Sequence, residues 1–285
     1  MKLYSFEIAG RRSVGVEKNG KLIDVGDKVG GDMLSLLRGG DAGMKKARDA
    51  SVAAGARAYK FHEVKVLAPV PRPGKILCAG FNFHSHLQEN PGAKVPEEPF
   101  FFAKMPSAVI ANGDPILHPG GNHQVDYEVE LAVVIGKPVK RNTPEDQVMG
   151  LVAGYTILND VSARDVQFKD QQITLGKNFD TFAPMGPLLV TADELVSPED
   201  TKLMTMVNNK PVQDGTTRDW VFGLRKLISA LSHVMSLEPG DVVSTGTPAG
   251  VAAFRKPPVF LKPGDTVTLE VQGIGQLENP VRAAP

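Results

Sequence analysis

The chain has 285 residues, with 32 basic and 32 acidic side chains and a formal net charge of zero. Without a polybasic run, that balance argues against nucleic acid or an anionic membrane surface as the partner. No apolar stretch approaches transmembrane length, Met1-Lys2-Leu3-Tyr4 leads straight into strand-like sequence, and the single cysteine, Cys78, excludes an intrachain disulfide and a thiolate metal cluster. The expectation is a cytoplasmic protein with a small and a large domain.

In chain order, residues 3–25 read as a small antiparallel module. Val14–Lys18 and Lys21–Val25 flank Asn19-Gly20, a strong two-residue hairpin signal. Residues 32–60 look helical, with a break at Gly39-Gly40. The alternating prolines of Ala68-Pro-Val-Pro-Arg-Pro-Gly74 can continue neither helix nor strand, so the boundary falls there: a small N-terminal domain over 1–70 and a catalytic domain over 71–285. Beyond the linker, strand-like runs dominate: Lys75–Ala79, Phe100–Ala103, Tyr127–Ile135, Leu151–Leu158, Pro187–Thr191, Lys202–Val207, Asp241–Ser244 and Thr266–Val271. The clearest helix spans about 218–235, where Trp220, Leu224, Leu227, Ile228, Leu231 and Met235 form one apolar stripe. This pattern predicts an α+β, β-dominated fold rather than a doubly wound sheet. No GxGxxG or P-loop follows a strand, which disfavours nucleotide cofactors.

The most informative residues lie in Asp126-Tyr127-Glu128-Val129-Glu130-Leu131. On a strand, Glu128 and Glu130 would share a face with Ala132 and Val134. A face that turns from acidic to apolar puts two carboxylates at the mouth of a buried region, where a proton or a cation must neutralise them. An exposed edge strand with two solvated glutamates is the competing reading. Asp160 adds a third carboxylate at the end of the run Ala153–Asp160, and Ser162-Ala-Arg-Asp165 looks like a capping box opening a helix. Three hard oxygen ligands suit Mg²⁺, Mn²⁺ or Ca²⁺ rather than zinc.

Other candidates surround this set. On the helix expected after Asp160, Arg164 and Gln167 share a face and suit a carboxylate and a carbonyl. Lys177, among glycine and turn formers, is suited to an oxyanion or to ordinary surface exposure. His86 and Glu89 are spaced to meet over one helical turn, which would fix the imidazole tautomer and make the other ring nitrogen a base. The stretch Pro91–Pro96 beside them reads as a mobile lid. Ser244-Thr-Gly-Thr-Pro-Ala-Gly250 is a small-residue loop whose N–H groups and Thr247 hydroxyl suit an anion or a plain tight turn.

Taken in order, these blocks resemble the fumarylacetoacetate hydrolase family. The resemblance rests on Cys78-Ala-Gly-Phe-Asn-Phe-His-Ser-His86 with Glu89, Asp126–Leu131, Asn159-Asp160 with Ala163–Gln167, Gly176–Asp180 with Pro184–Pro187, and Gly246-Thr-Pro248, over roughly residues 72–283. It implies a mixed β-sheet roll, a divalent metal (usually Mg²⁺ or Mn²⁺) and a homodimer. It assigns Glu128, Glu130 and Asp160 as metal ligands, His86 with Glu89 as a water-activating dyad, and Lys177 as an oxyanion stabiliser. Arg164, Gln167 and Thr247 correspond to positions that contact substrate. The activity so implied is hydrolysis of a C–C bond in a 2,4-diketo acid of acylpyruvate or fumarylpyruvate type, through a metal-stabilised enolate. The same site would serve an oxaloacetate-type decarboxylase or a 2-hydroxy-dienedioate isomerase, and the presence of both His86 and Glu89 tilts the expectation to hydrolysis. A non-catalytic small-molecule-binding β-protein is the reading from another class.

Overall fold

The computed structural model describes residues 1–285 except Pro91 and Val196 and the side chain of Asp170. Its frame is a twelve-stranded mixed sheet. From one edge the order runs Ala58–Tyr59, Lys21–Asp24, Arg11–Lys18, Lys2–Ile8, Ala183–Thr191, Val152–Asn159, Val129–Ile135, Val242–Ser244, Ile76–Gly80 and Phe100–Lys104. Neighbours in this order of ten are antiparallel except Val242–Ser244 and Ile76–Gly80, which run parallel; the other two strands pair off the path, Lys65–Val66 antiparallel with Lys2–Ile8 and Val109–Ile110 parallel with Ala183–Thr191. A second, five-stranded sheet carries Lys210–Thr216, Lys202–Val207, Thr266–Val271, Gly275–Ala283 and Ile116–His118. The β-dominated mixed architecture expected from the strand-rich sequence is the one observed.

The N-terminal hairpin forms about Asn19 and Gly20, both at positive φ as a two-residue turn of this kind demands. The strand preceding it, Lys2–Ile8, pairs directly with Ala183–Thr191, at Lys2↔Val190 and Leu3↔Leu189, so the small module extends the large sheet. The helical stretch breaks where expected, into Met33–Arg38 and Gly40–Ser51, but it does not reach residue 60: Ala58–Tyr59 pairs with Leu22 and Ile23 as the edge strand of the sheet. The apolar stripe helix spans Leu224–Val234, shorter than the pattern suggests, because residues 217–219 form a separate 3₁₀ turn before it.

The central strand Val129–Ile135 is buried along its whole length. Val129, Leu131, Val133 and Ile135 enter one core with Trp220, Leu224 and the second sheet; Ala132 and Val134 enter another with Ile76, Cys78 and the helical residues Met33, Leu36 and Leu37. Period-two alternation therefore sends Glu130 to the side that the N-terminal helices help to close. Burial, then the nearby Asp160 and Glu130 charges, pushes the Cys78 thiol well above its ordinary range, which makes it an inert core residue.

Two further local expectations, near the carboxylates, differ from the structure. The central strand begins at Val129 rather than Tyr127, because the Glu128 N–H donates to the Asn159 side chain at 3.1 Å instead of joining a ladder. The capping box does not form: Ser162 and Ala163 pair with Val125 and Asp126, and the Ser162 hydroxyl donates to the Asp160 carbonyl. Asp165 instead accepts from the Gln124 N–H and pairs with His123. In the stretch 91–96 read as a lid, Pro91 lies outside the described residues, and Gly92–Pro96 forms neither helix nor strand. Among the described residues no helix is long and apolar enough to cross a membrane.

Candidate metal centre and active site

Although Glu128 stands just outside the strand, it converges with Glu130 and Asp160. One ligand oxygen from each lies within 4.8 Å of the other two, and all three residues are buried. The link is a backbone one: the Asp160 N–H donates to the Glu128 carbonyl at 3.0 Å, tying the end of one strand to the start of its neighbour. Antiparallel pairing of Val129 with Asn159 sets that register.

The cations around them are arranged unevenly. Lys177, at the end of the short helix Ile173–Lys177, donates to Glu128 Oε2 at 2.9 Å and Asp160 Oδ2 at 2.6 Å. Arg164 donates to Glu128 Oε1 at 2.5 Å, to Asp126 Oδ2 at 2.9 Å and to the Gln167 side-chain oxygen at 2.9 Å. Lys104, on the edge strand and fully buried, donates to Asp160 Oδ1 at 2.7 Å, the Val161 carbonyl at 3.2 Å and the Lys177 carbonyl at 2.5 Å. Four carboxylates (Asp126, Glu128, Glu130, Asp160) thus face three cations, and among the described residues Glu130 is the carboxylate left without an ion pair. Its Oε2 accepts only from the Ser244 hydroxyl and the Gly246 N–H. Gly246 reaches it with a left-handed backbone, φ +89°, in a turn where a Cβ would press on the Ala79 carbonyl oxygen and Asn82.

Titration behaviour follows this imbalance. Burial pushes Glu128 up, but the charges of Lys177 and Arg164 outweigh it and hold the carboxyl at about 2. Glu130 is pushed well above its ordinary value, by burial first and then by Asp160 and Glu128. Burial disfavours the Lys177 ammonium, yet Asp160 and Glu128 raise its pKa overall, so it stays charged. A buried carboxyl with no cation opposite it, next to two more carboxylates, is a set of hard oxygen atoms that a divalent cation can neutralise, so this donor set fits Mg²⁺, Mn²⁺ or Ca²⁺.

Above the carboxylates lies a cleft lined among others by His86, Arg164, Gln167, Lys177 and Thr247. His86 and Glu89 sit on the helix His84–Glu89, where the imidazole Nδ1 donates to Glu89 Oε1 at 2.7 Å. The other Glu89 oxygen accepts from the Gly250 N–H at 2.8 Å, and the Ala249 N–H donates to Ser85 at 3.2 Å, so the helix is docked on the 244–250 loop. Thr247 is also committed locally: its hydroxyl accepts from Gln213 at 2.9 Å.

Seven of the nine candidate side chains line one cleft, and the other two reach it through a partner, Glu89 through His86 and Asp160 through Lys177. Two functional neighbours escaped sequence reasoning. Asp126, quoted only as part of a motif, orients Arg164 while accepting from the Ala252 and Ala253 N–H groups at 2.8 and 3.0 Å. Lys104 had only one available signal, a lysine closing an apolar strand, which ordinarily reads as the strand's solvated end.

Comparison with known proteins identifies the family. A model of the fumarylacetoacetate (FAA) hydrolase C-terminal region matches residues 75–282. The chain is 45% identical over 251 residues to a Homo sapiens protein named oxaloacetate tautomerase FAHD2A, mitochondrial, covering 87% of this chain and 79% of the relative. Fumarylacetoacetate hydrolase from psychrophilic Exiguobacterium antarcticum superposes with a TM-score of 0.88 at 37% identity over all of both chains. Maleylpyruvate hydrolase from Sphingobium sp. SYK-6, solved with manganese(II) and pyruvate, does so with a TM-score of 0.84 at 30% identity, again over all of both chains. With a match over most of its length and a shared fold throughout, the chain belongs to the fumarylacetoacetate hydrolase family of enzymes.

Proposed function

We propose that this enzyme hydrolyses the carbon–carbon bond of a 2,4-diketo acid of acylpyruvate type. The observation that carries the reading is the His86–Glu89 pair, held at 2.7 Å in the cleft that also receives the clustered carboxylates. Glu128, Glu130 and Asp160 would hold the Mg²⁺ or Mn²⁺, with Ca²⁺ sharing the same donor preference. That ion, when bound, supplies Lewis-acid polarisation of the substrate's 2-oxo group.

The chain's own residues do the rest. With Nδ1–H donated to Glu89, the neutral His86 ring has its lone pair on Nε2, which takes a proton from water. The water oxygen bonds to the distal carbonyl carbon, and the bond from that carbon to the pyruvyl fragment breaks. The electron pair leaves with the three-carbon fragment as pyruvate enolate, which is then protonated at carbon, while the acyl group departs as a carboxylate. Lys177 and Arg164 bring positive charge to the developing oxyanion, and Gln167 and Thr247 contact the substrate's oxygens from the cleft wall.

The human relative supports a second reading, keto–enol tautomerisation of oxaloacetate. There His86 would shuttle a proton between C3 and the 2-oxygen, with no bond to water formed. Decarboxylation of oxaloacetate and isomerisation of a 2-hydroxy-dienedioate use the same enol chemistry. The deciding assay supplies Mn²⁺-loaded protein with acetylpyruvate, fumarylpyruvate and oxaloacetate and follows pyruvate release and enol absorbance. Stoichiometric acetate and pyruvate from acetylpyruvate are expected; enol–keto interconversion of oxaloacetate with no acylpyruvate cleavage would replace the first reading with the second. A homodimer belongs to the same family-based reading, and light scattering tests it.

A further inference from the structure

The outer wall of the cleft is aromatic and built at some conformational cost. Phe81 holds φ +56°, a left-handed backbone that a bulky residue rarely adopts. That conformation sets its ring against Phe100, with centroids 5.6 Å apart and planes tilted by 55°. Phe100 and Phe102 follow on the same face of the edge strand, and Phe100 is paired across the ladder with Gly80. A Cβ on Gly80 would come within 2.8 Å of the Phe100 ring, so the glycine makes room for it. Phe102 continues the wall inward, its centroid 5.1 Å from the Lys177 ammonium. At 40% and 38% exposure, Phe81 and Phe100 leave their rings open at the lip.

Charge points the same way. The permanent cations lining the cleft are Arg164 and Lys177, and both are engaged by Asp126, Glu128 and Asp160 at the inner end. A carboxylate at the far end of the substrate would meet aromatic rings and, among the described residues lining the cleft, no fixed positive charge beyond those two.

We infer that Phe81 and Phe100 are specificity-determining residues that select a 2-oxo acid whose distal group is apolar and flat, an aryl or aroyl substituent, over one ending in a carboxylate. The inference rests on the reading that this cleft takes a 2-oxo acid. The left-handed Phe81 holds the lip of the wall, and the distal ring of the substrate stacks against the Phe81–Phe100 pair.

The test is calorimetric binding of phenylpyruvate and oxaloacetate, neither able to undergo acylpyruvate hydrolysis, to the intact Mn²⁺-supplemented protein and to Phe81→Gly. Glycine accepts φ +56° without strain, so this variant removes the ring while suiting the backbone. Wild type should bind phenylpyruvate about tenfold or more tightly than oxaloacetate, and the preference should fall severalfold in the variant. Equal or tighter binding of oxaloacetate by wild type, or a preference unchanged in Phe81→Gly, overturns the inference. A lack of acetylpyruvate turnover would count against hydrolysis alone, because neither probe depends on acylpyruvate hydrolysis.

Discussion

The two ends of the cleft are built by different rules. At the inner end Glu128, Glu130, Asp160, Lys104 and Lys177 are all at most 5% exposed, and each is tied to groups on other strands or loops. At the outer end His86 and Glu89 are only partly buried, Phe81 and Phe100 are exposed, and a single short helix docked by a few hydrogen bonds carries the dyad. A buried charge cluster tolerates little change, because each member neutralises or orients another. The lip can vary with small energetic consequence. One scaffold can therefore keep its anchoring site and change its reaction or its substrate.

Chelation presses hardest on that contrast. Excess EDTA should abolish turnover and lower the melting temperature; if it leaves both untouched, the inner end is a salt-bridge cluster and not a metal site. His86→Ala should lower kcat by about 10²–10⁴-fold, the usual worth of a positioned acid–base group, while Mn²⁺ affinity measured by electron paramagnetic resonance stays near wild type. Full acylpyruvate hydrolysis by this variant would remove the dyad from the mechanism. Lys104→Met should behave in the opposite manner. By freeing Asp160 Oδ1 and the Lys177 carbonyl it should weaken Mn²⁺ binding by about 10–100-fold, and an unchanged dissociation constant would show that the inner end tolerates looseness after all.

The smallest effect lies away from the cleft, at Asp24 in the N-terminal module. Burial pushes this carboxyl up, but bonds from Ser13, Arg11 and the Gly26 N–H hold it below the usual carboxylate range. A depressed folded-state value means the stabilisation is complete above the unfolded-state pKa and is lost as pH falls through the folded one. Asp24→Asn should cost about 1–3 kcal/mol at neutral pH, and its stability should change less than wild type between neutral and acid pH in urea titrations. Equal acid sensitivity of the two proteins would place the pH response elsewhere.

Legibility from sequence tracked how local each feature is. The Glu128–Glu130 pair and Asp160 stood out because a polar-to-apolar change along one strand is visible within a few residues. The His86–Glu89 spacing was readable for the same reason, as was the Asn19-Gly20 hairpin. The Ser162 capping box misled because an equally local pattern lost to pairing with Val125–Asp126, which lies far back in the chain. Asp126, Lys104 and the Phe81–Phe100 wall were opaque, since their meaning lies in partners brought by the fold: Arg164 and the 252–253 turn, Asp160 and the Lys177 carbonyl, and a glycine across a strand ladder.

By itself the sequence determined the strand-rich class, the break between the helices at Gly39-Gly40, the family, and which carboxylates and which histidine to watch. These follow from side-chain periodicity and short spacings, which the chain carries wherever it folds. Only the tertiary structure decided that Glu130 is the carboxylate without a cation, that Lys104 ties Asp160 to the Lys177 segment, and that the lip is aromatic. Charge balance and wall shape are sums over residues far apart in sequence, and packing alone brings them to one place.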